Sequence, residues 1–134
     1  MLHLEIVTPE QKTYSDDVDS VVVPGVEGEL GVLPQHVPLM THLIPGELRV
    51  LKGGEELRLA VGEGFVEISA NKVAVLTDMA VRESDIDESA AEEAVRRAEE
   101  AIRSNKMSDE EYATVKASLQ KSLAQIRVKR RRGG

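Results

Sequence analysis

Cysteine is absent from this chain and so is tryptophan, and the aromatic share is only 2%: Tyr14, Phe65 and Tyr112. The first absence excludes disulfides, thiolate metal sites and cysteine nucleophiles, and permits a reducing compartment. The scarcity of rings argues against a base-stacking nucleic-acid surface or a sugar-binding platform, both of which present exposed aromatics. Any core must be aliphatic. Long apolar runs are also missing: none approaches the roughly 20 residues of a membrane span. The first residues as given lack the basic region and long apolar stretch of a secretory signal, so the expectation is a soluble, intracellular chain. Its 134 residues suit one ordinary domain, or a compact domain of about 85 residues with an appendage.

What the chain has is charge, divided unevenly. The net of −7 comes from 24 acids against 17 bases. Met1–Ser84 holds 14 acids and 6 bases, a net of −8, whereas Asp85–Gly134 holds 10 acids and 11 bases, a net of +1. Composition turns over at the same place. All five prolines, most glycines and most β-branched residues precede Ser84, and alanine, glutamate and arginine dominate after it. The boundary is expected near Arg82–Asp87, with a β domain over 1–84 and a helical segment over 85–134.

In the first segment, Leu2, Leu4 and Ile6 alternate with His3 and Glu5, the pattern of a strand with one buried face. Val18–Val23, Glu47–Leu51, Glu56–Val61, Gly64–Ser69 and Lys72–Thr77 read as further strands, separated by Gly53-Gly54, Gly62-Glu63-Gly64 and Asn71-Lys72 as turns. Short strands at this spacing imply an antiparallel sandwich or barrel. Leu57, Leu59 and Val61 are expected on one face, with Phe65 as the one aromatic of the core. Pro24–Gly46 carries four glycines and four prolines and reads as a poor strand, an ordered loop that holds Glu29 and His36 out from the scaffold. Gly25, Gly28 and Gly31 do not make a phosphate loop, because no Lys-Ser/Thr pair and no helix start follow them.

After Asp87 the period changes. Ala91, Ala94, Val95, Ala98, Ala101 and Ile102 form one helical stripe, with Asp87 or Ser89 as the cap and an end near Ser104-Asn105-Lys106. Ser108 with Glu111 gives a capping box, Met107 and Tyr112 a hydrophobic staple, and Tyr112, Val115, Leu119, Leu123 and Ile126 a second stripe. Two helices joined by so short a link fold back as an antiparallel hairpin. An alanine seam removes little apolar area from water, so the hairpin must lean on the sandwich or on a partner. Two weak docking options of similar strength would let it switch, against the alternative of permanent docking. It ends in Arg127, Lys129, Arg130, Arg131 and Arg132, five bases in six positions. That tail is either solvated or a docking patch for acidic protein, nucleic acid or anionic lipid. The acidic body and missing aromatics weaken nucleic acid, and the lack of an apolar face among the bases weakens lipid, leaving acidic protein.

No catalytic constellation emerges. His3, His36 and His42 have no metal-ligand spacing, and the serines lack a nucleophile elbow. Neither enzyme activity, a metal nor a cofactor is expected of the isolated chain.

The run Gly28-Glu29-Leu30-Gly31-Val32-Leu33-Pro34-Gln35-His36-Val37-Pro38-Leu39, with Pro45-Gly46 after it, resembles the GELGxxPxHxPL…PG motif of the epsilon-subunit family of F-type ATP synthases. The resemblance extends through LHLEIVTPE at the start, Glu63–Ile68, Lys72–Leu76, the Arg82–Asp87 junction and the alanine-rich hairpin. It implies a sandwich of about ten strands followed by two helices, set on a central rotor stalk at the cytoplasmic face of a bacterial inner membrane and peripheral to it. It further implies that the segment of Glu29, Leu30 and Gly31 meets the c-ring and that His36 and Pro38 lie near the gamma subunit. It implies too a hairpin that either folds against the sandwich or extends along gamma into the alpha–beta head, where Arg127, Lys129, Arg130, Arg131 and Arg132 meet an acidic segment of beta and block hydrolysis. Relatives that bind regulatory ATP carry Ile/Leu-Asp-x-x-Arg-Ala at the junction. Ile86, Asp87 and Ala91 match here, but Ala90 stands in the arginine position. Loss of that guanidinium, a charge-assisted contact to phosphate, implies weak or absent ATP binding. The competing class is a free-standing regulatory module whose basic tail contacts nucleic acid or anionic membrane.

Overall fold

The computed structural model describes residues 1–104 and 106–131. Ten strands precede the helices: β1 Leu2–Val7, β2 Lys12–Val18, β3 Ser20–Gly25, β4 Gly28–Val32, β5 Leu39–Leu43, β6 Gly46–Lys52, β7 Glu55–Val61, β8 Gly64–Ser69, β9 Lys72–Thr77 and β10 Ala80–Arg82. They form one continuous sheet in the order β10-β7-β6-β3-β5-β8-β9-β1-β2, with β4 added on β3. The sheet folds over where β3 meets β5 by the single rung Gly25–Leu43. Its two ends come together again. The Arg82 guanidinium of β10 lies 5.5 Å from the centre of the Tyr14 ring on β2, and Lys52 Nζ of β6 is 2.5 Å from Asp16 Oδ2 of β2. The result is a sandwich closed nearly into a barrel.

Alternation builds the core as expected. Leu2, Leu4 and Ile6 of β1 are fully buried, and they pack with Val23, Leu48, Leu59, Val61, Val66, Val73 and Val75 in an all-aliphatic interior. Gly53 and Gly54 turn β6 into β7 with φ of 58° and 81°, a region L side chains rarely enter.

Three expectations need correction. Phe65 is 48% exposed and lies on the outer face, because its neighbour Val66 takes the core position. The run Val18–Val23 is not one strand. Asp19 interrupts it, giving its N–H to Leu51 O (2.8 Å) and accepting the Gly53 N–H (2.9 Å). Pro24–Gly46 is not a loop throughout, since it holds β4 and β5. In β4 the buried Val32 and half-buried Leu30 point inward against exposed Glu29 and Gly31, an alternation masked by the glycines.

After a short 3-10 turn over Glu83–Asp85, α1 spans Glu88–Ser104 and α2 spans Asp109–Arg131. Asp87 caps α1 by accepting the Ala90 N–H at 3.0 Å. The Ser108–Glu111 capping box closes in both directions, at 3.2 and 3.4 Å. Tyr112 remains 44% exposed. Of the expected α2 stripe only Ile126 is buried, with Val115, Leu119 and Leu123 half-buried, while Ser122, Ala124 and Val128 are buried outside it. Val128 joins Ala60 and Ile86, with Met79 and Val81 at the rim. Ala124 sits one turn before Val128, while Ser122 and Ile126 lie about 200° round the helix from them, on the side left for α1. The second half of α2 is thus gripped on two sides, whereas its first half holds no buried residue.

Gly64 is fixed by close approach: an added Cβ would lie 1.8 Å from Leu76 O. Gly64→Ala is expected to force β8 from β9 and to lower unfolding stability by about 2–4 kcal/mol, read from the midpoint of urea denaturation.

Candidate functional site

The chemistry of this chain is that of surfaces. Among the described residues no group of three or more His, Asp or Glu side chains is placed to hold a metal. The histidines occupy separate settings. His3 on β1 gives a hydrogen bond from Nδ1 to Asp17 Oδ1 at 2.9 Å, and that bond, opposed by desolvation and helped by Glu5, raises its pKa above the ordinary 6.5. His36 is half-buried and donates from Nδ1 to Val37 O at 2.7 Å. His42 lies on the outer face of β5.

The first surface is apolar. Residues Met40 and His42 alternate outward along β5 with Ile44 just past its end, and register places His42 beside Phe65, Phe65 beside Leu76, and Leu76 beside Val7. The His42 and Phe65 rings lie 4.7 Å apart at an interplanar angle of 42°. Met40, Phe65 and Leu76 are 63%, 48% and 49% exposed, and Val26 borders the same groove. A rung of apolar side chains across four strands is a surface that water solvates poorly and a partner covers well. Its signal in the sequence was adjacent apolar pairs, Leu39-Met40, Phe65-Val66 and Val75-Leu76, in strands whose other face was already committed to the core.

The second surface is the strip of β4. Glu29 is exposed and pairs with Arg49 of β6 at 3.4 Å. Gly31 is exposed beside it, whereas Leu30 turns inward and packs on the core. Pro38 lies exposed before β5, in a loop anchored by Gln35 N–H to Ala70 O at 2.5 Å. Glu29 and the Met40–Phe65 rung are therefore carried by neighbouring parts of one sheet.

The third is the basic end of α2, and here every expected base within the described residues has a partner. Arg127 reaches Pro45 O at 3.5 Å, Lys129 donates to Glu83 O at 3.1 Å, and Arg130 pairs with Glu88 and Glu92 of α1 at 3.4 and 2.9 Å. Arg131 pairs with Glu47 of β6. Arg132 lies outside the described residues. The junction residues have structural employment as well: Ile86 is buried against Ala60 and Val128, Asp87 caps α1, and Ala91 is buried on α1.

This arrangement defines a class: a β-sandwich docking module that presents an apolar face and an acidic strip and carries a helical arm folded against its side. Residues 1–83 match the family described as ATP synthase, Delta/Epsilon chain, beta-sandwich domain, and residues 84–130 match ATP synthase, Delta/Epsilon chain, long alpha-helix domain. The chain belongs to the ATP synthase delta/epsilon chain family. It is 44% identical over 128 residues to the ATP synthase epsilon chain of Alkalilimnicola ehrlichii, a match that covers 95% of this chain and 91% of that one. Over 129 residues it is 44% identical to the same subunit of Halorhodospira halophila, with the same coverage. In fold it is similar to a chain of the Euglena gracilis mitochondrial ATP synthase (TM-score 0.73, 23% identity, 89% of this chain and 75% of that one).

With Ala90 offering only its backbone N–H, already given to Asp87, no guanidinium stands at that position to meet a phosphate. Calorimetric titration of the full chain with ATP is expected to show no saturable binding below about 1 mM.

Proposed function

We propose that the chain serves as the epsilon subunit of an ATP synthase: a non-catalytic piece of the central stalk that couples rotation of a proton-driven c-ring to the catalytic head and restrains ATP hydrolysis through its hairpin. The observation that carries the coupling role is the exposed rung of His42, Phe65 and Leu76, with Met40 two residues along β5 from His42. Its partner in this reading is the gamma subunit, with His36 and Pro38 at its margin, and Glu29 and Gly31 face the c-ring. Membrane association is peripheral and runs through the complex; among the described residues no helix is long and apolar enough to cross a bilayer.

The inhibitory role rests on the hairpin. Its hold on the sandwich, among the described residues, is one small apolar cluster and the ion pairs Lys121–Asp78 and Arg131–Glu47, and exposed ion pairs contribute little each, about 0–1 kcal/mol. An arm so held can be exchanged for a competing acidic surface in the alpha–beta head, where Arg127, Lys129, Arg130 and Arg131, with Arg132, would find carboxylates in place of those of Glu47, Glu88 and Glu92. Within the chain Arg130 and Arg131 already meet carboxylates, while Arg127 and Lys129 reach only carbonyl oxygens.

Two measurements test the reading. Phe65→Ser, at a half-exposed position, is expected to leave the thermal midpoint nearly unchanged and to weaken binding to purified gamma by about 10- to 100-fold; unchanged affinity removes the apolar rung from the interface. Deletion of Ser108–Gly134 is expected to raise ATP hydrolysis by the reconstituted head and stalk while assembly persists. Unchanged hydrolysis would leave coupling in place and remove inhibition.

A further inference from the structure

Four side chains join the acidic strip to the docked arm. Glu29 Oε2 of β4 lies 3.4 Å from Arg49 Nη2 of β6, and Arg49 Nη1 lies 3.6 Å from Glu47 Oε1 two residues away on the same strand face. That same Glu47 oxygen takes Arg131 of α2. Glu47 is only 10% exposed, and its second oxygen is buried with no hydrogen-bond partner among the described residues. A carboxylate desolvated to this degree needs a cation close by, and it has two that share one oxygen. Arg49 faces Arg58 across the β6–β7 ladder, and Arg58 is occupied by Glu56 and Glu83, each at 3.6 Å. Arg49 is therefore divided between Glu29 and Glu47, and Glu47 between Arg49 and Arg131.

We infer that this chain of charges is a relay through which occupation of Glu29 by a partner's cation loosens the hairpin. The inference rests on the proposed function for the partner at Glu29, but the relay belongs to the chain alone. When the Glu29 charge is satisfied from outside, Arg49 is released toward Glu47 and supplies the cation Glu47 needs, so Arg131 loses its advantage there. Coupling of this kind is reciprocal. An undocked hairpin draws Arg49 to Glu47 and frees Glu29 for an incoming cation, so engagement at the strip and release of the arm favour each other. The two events are linked without a moving strand, because Glu47 and Arg49 are fixed on β6 beside Ala60, where Val128 docks.

The full chain supplies the test, since it has no native thiol. In a Val128→Cys background, where the thiol replaces a side chain 1% exposed, alkylation under fast redocking reports the undocked population. Arg131→Gln is expected to raise the rate about tenfold and Glu29→Gln about two- to fivefold. Arg49→Gln is expected to lower the rate or leave it, and to abolish the effect of Glu29→Gln. Hydrogen exchange at amides 124–131, read without the cysteine, should give the same ranking. The relay is overturned if Glu29→Gln changes neither readout, if it acts equally with and without Arg49, or if Arg131→Gln leaves the arm as tightly held as before. Because no partner is present, failure here is separable from failure of the chain to bind gamma.

Discussion

The contact on which the arrangement depends is Val128 against Ala60 and Ile86. There the arm buries its valine almost completely, and full burial of a valine stabilises by about 2 kcal/mol. Around it the forces are electrostatic: Arg131 to Glu47, Lys129 to the Glu83 carbonyl, and Lys121 to Asp78 at 3.6 Å. Ala60 matters because it is small. On the outer face of β7 it opens a shallow seat between Glu47 on the neighbouring strand and the Met79–Val81 edge, and α2 settles there with its terminal bases above the carboxylates. Apolar contact fixes position, and charge fixes register.

The sandwich itself is of another order of strength. Its interior is continuous, aliphatic and closed, with the two sheet ends bridged by Arg82 over Tyr14 and by Lys52 to Asp16. Local stability therefore differs sharply along the chain. The β layers are a rigid mount for the exposed rung and for Glu29, while the first half of α2 has no buried residue and leaves Tyr112 half in solvent. The proposed role draws on both properties: a mount that deformed would dissipate torque, and an arm bonded as firmly as the core would never leave it.

Much of this was legible in the residues. The alternation of Leu2, Leu4 and Ile6, the Gly53-Gly54 turn, the Asp87 cap and the Ser108–Glu111 box are local patterns, and the structure carries each as expected. Phe65 was misread because a run such as Phe65-Val66 has no polar member to say which side faces water; pairing with His42 and Leu76 decides it. Strands β4 and β5 were hidden by glycine and proline, whose propensity is overridden once β3 and β8 supply hydrogen-bonding edges. The extra buried positions of α2, Ala124 and Val128, follow from contact with a second body that no helical period encodes. The pairing of Arg131 with Glu47, 84 residues apart, is likewise a product of topology.

That topology also sets an order on biosynthesis. β1 leaves the ribosome before β2 to β10, yet it lies between β2 and β9, and its parallel partner carries the register His3–Lys72 through Val7–Leu76. The barrel-like closure must wait for nearly the whole sandwich to be translated, leaving Leu2, Leu4 and Ile6 without their final neighbours during that interval. Contacts this distant in sequence slow folding, whereas the helical arm closes through near neighbours. The arm, synthesised after the strands, is thus quick to form and has a finished wall to rest on only if the nascent β layers have already shut.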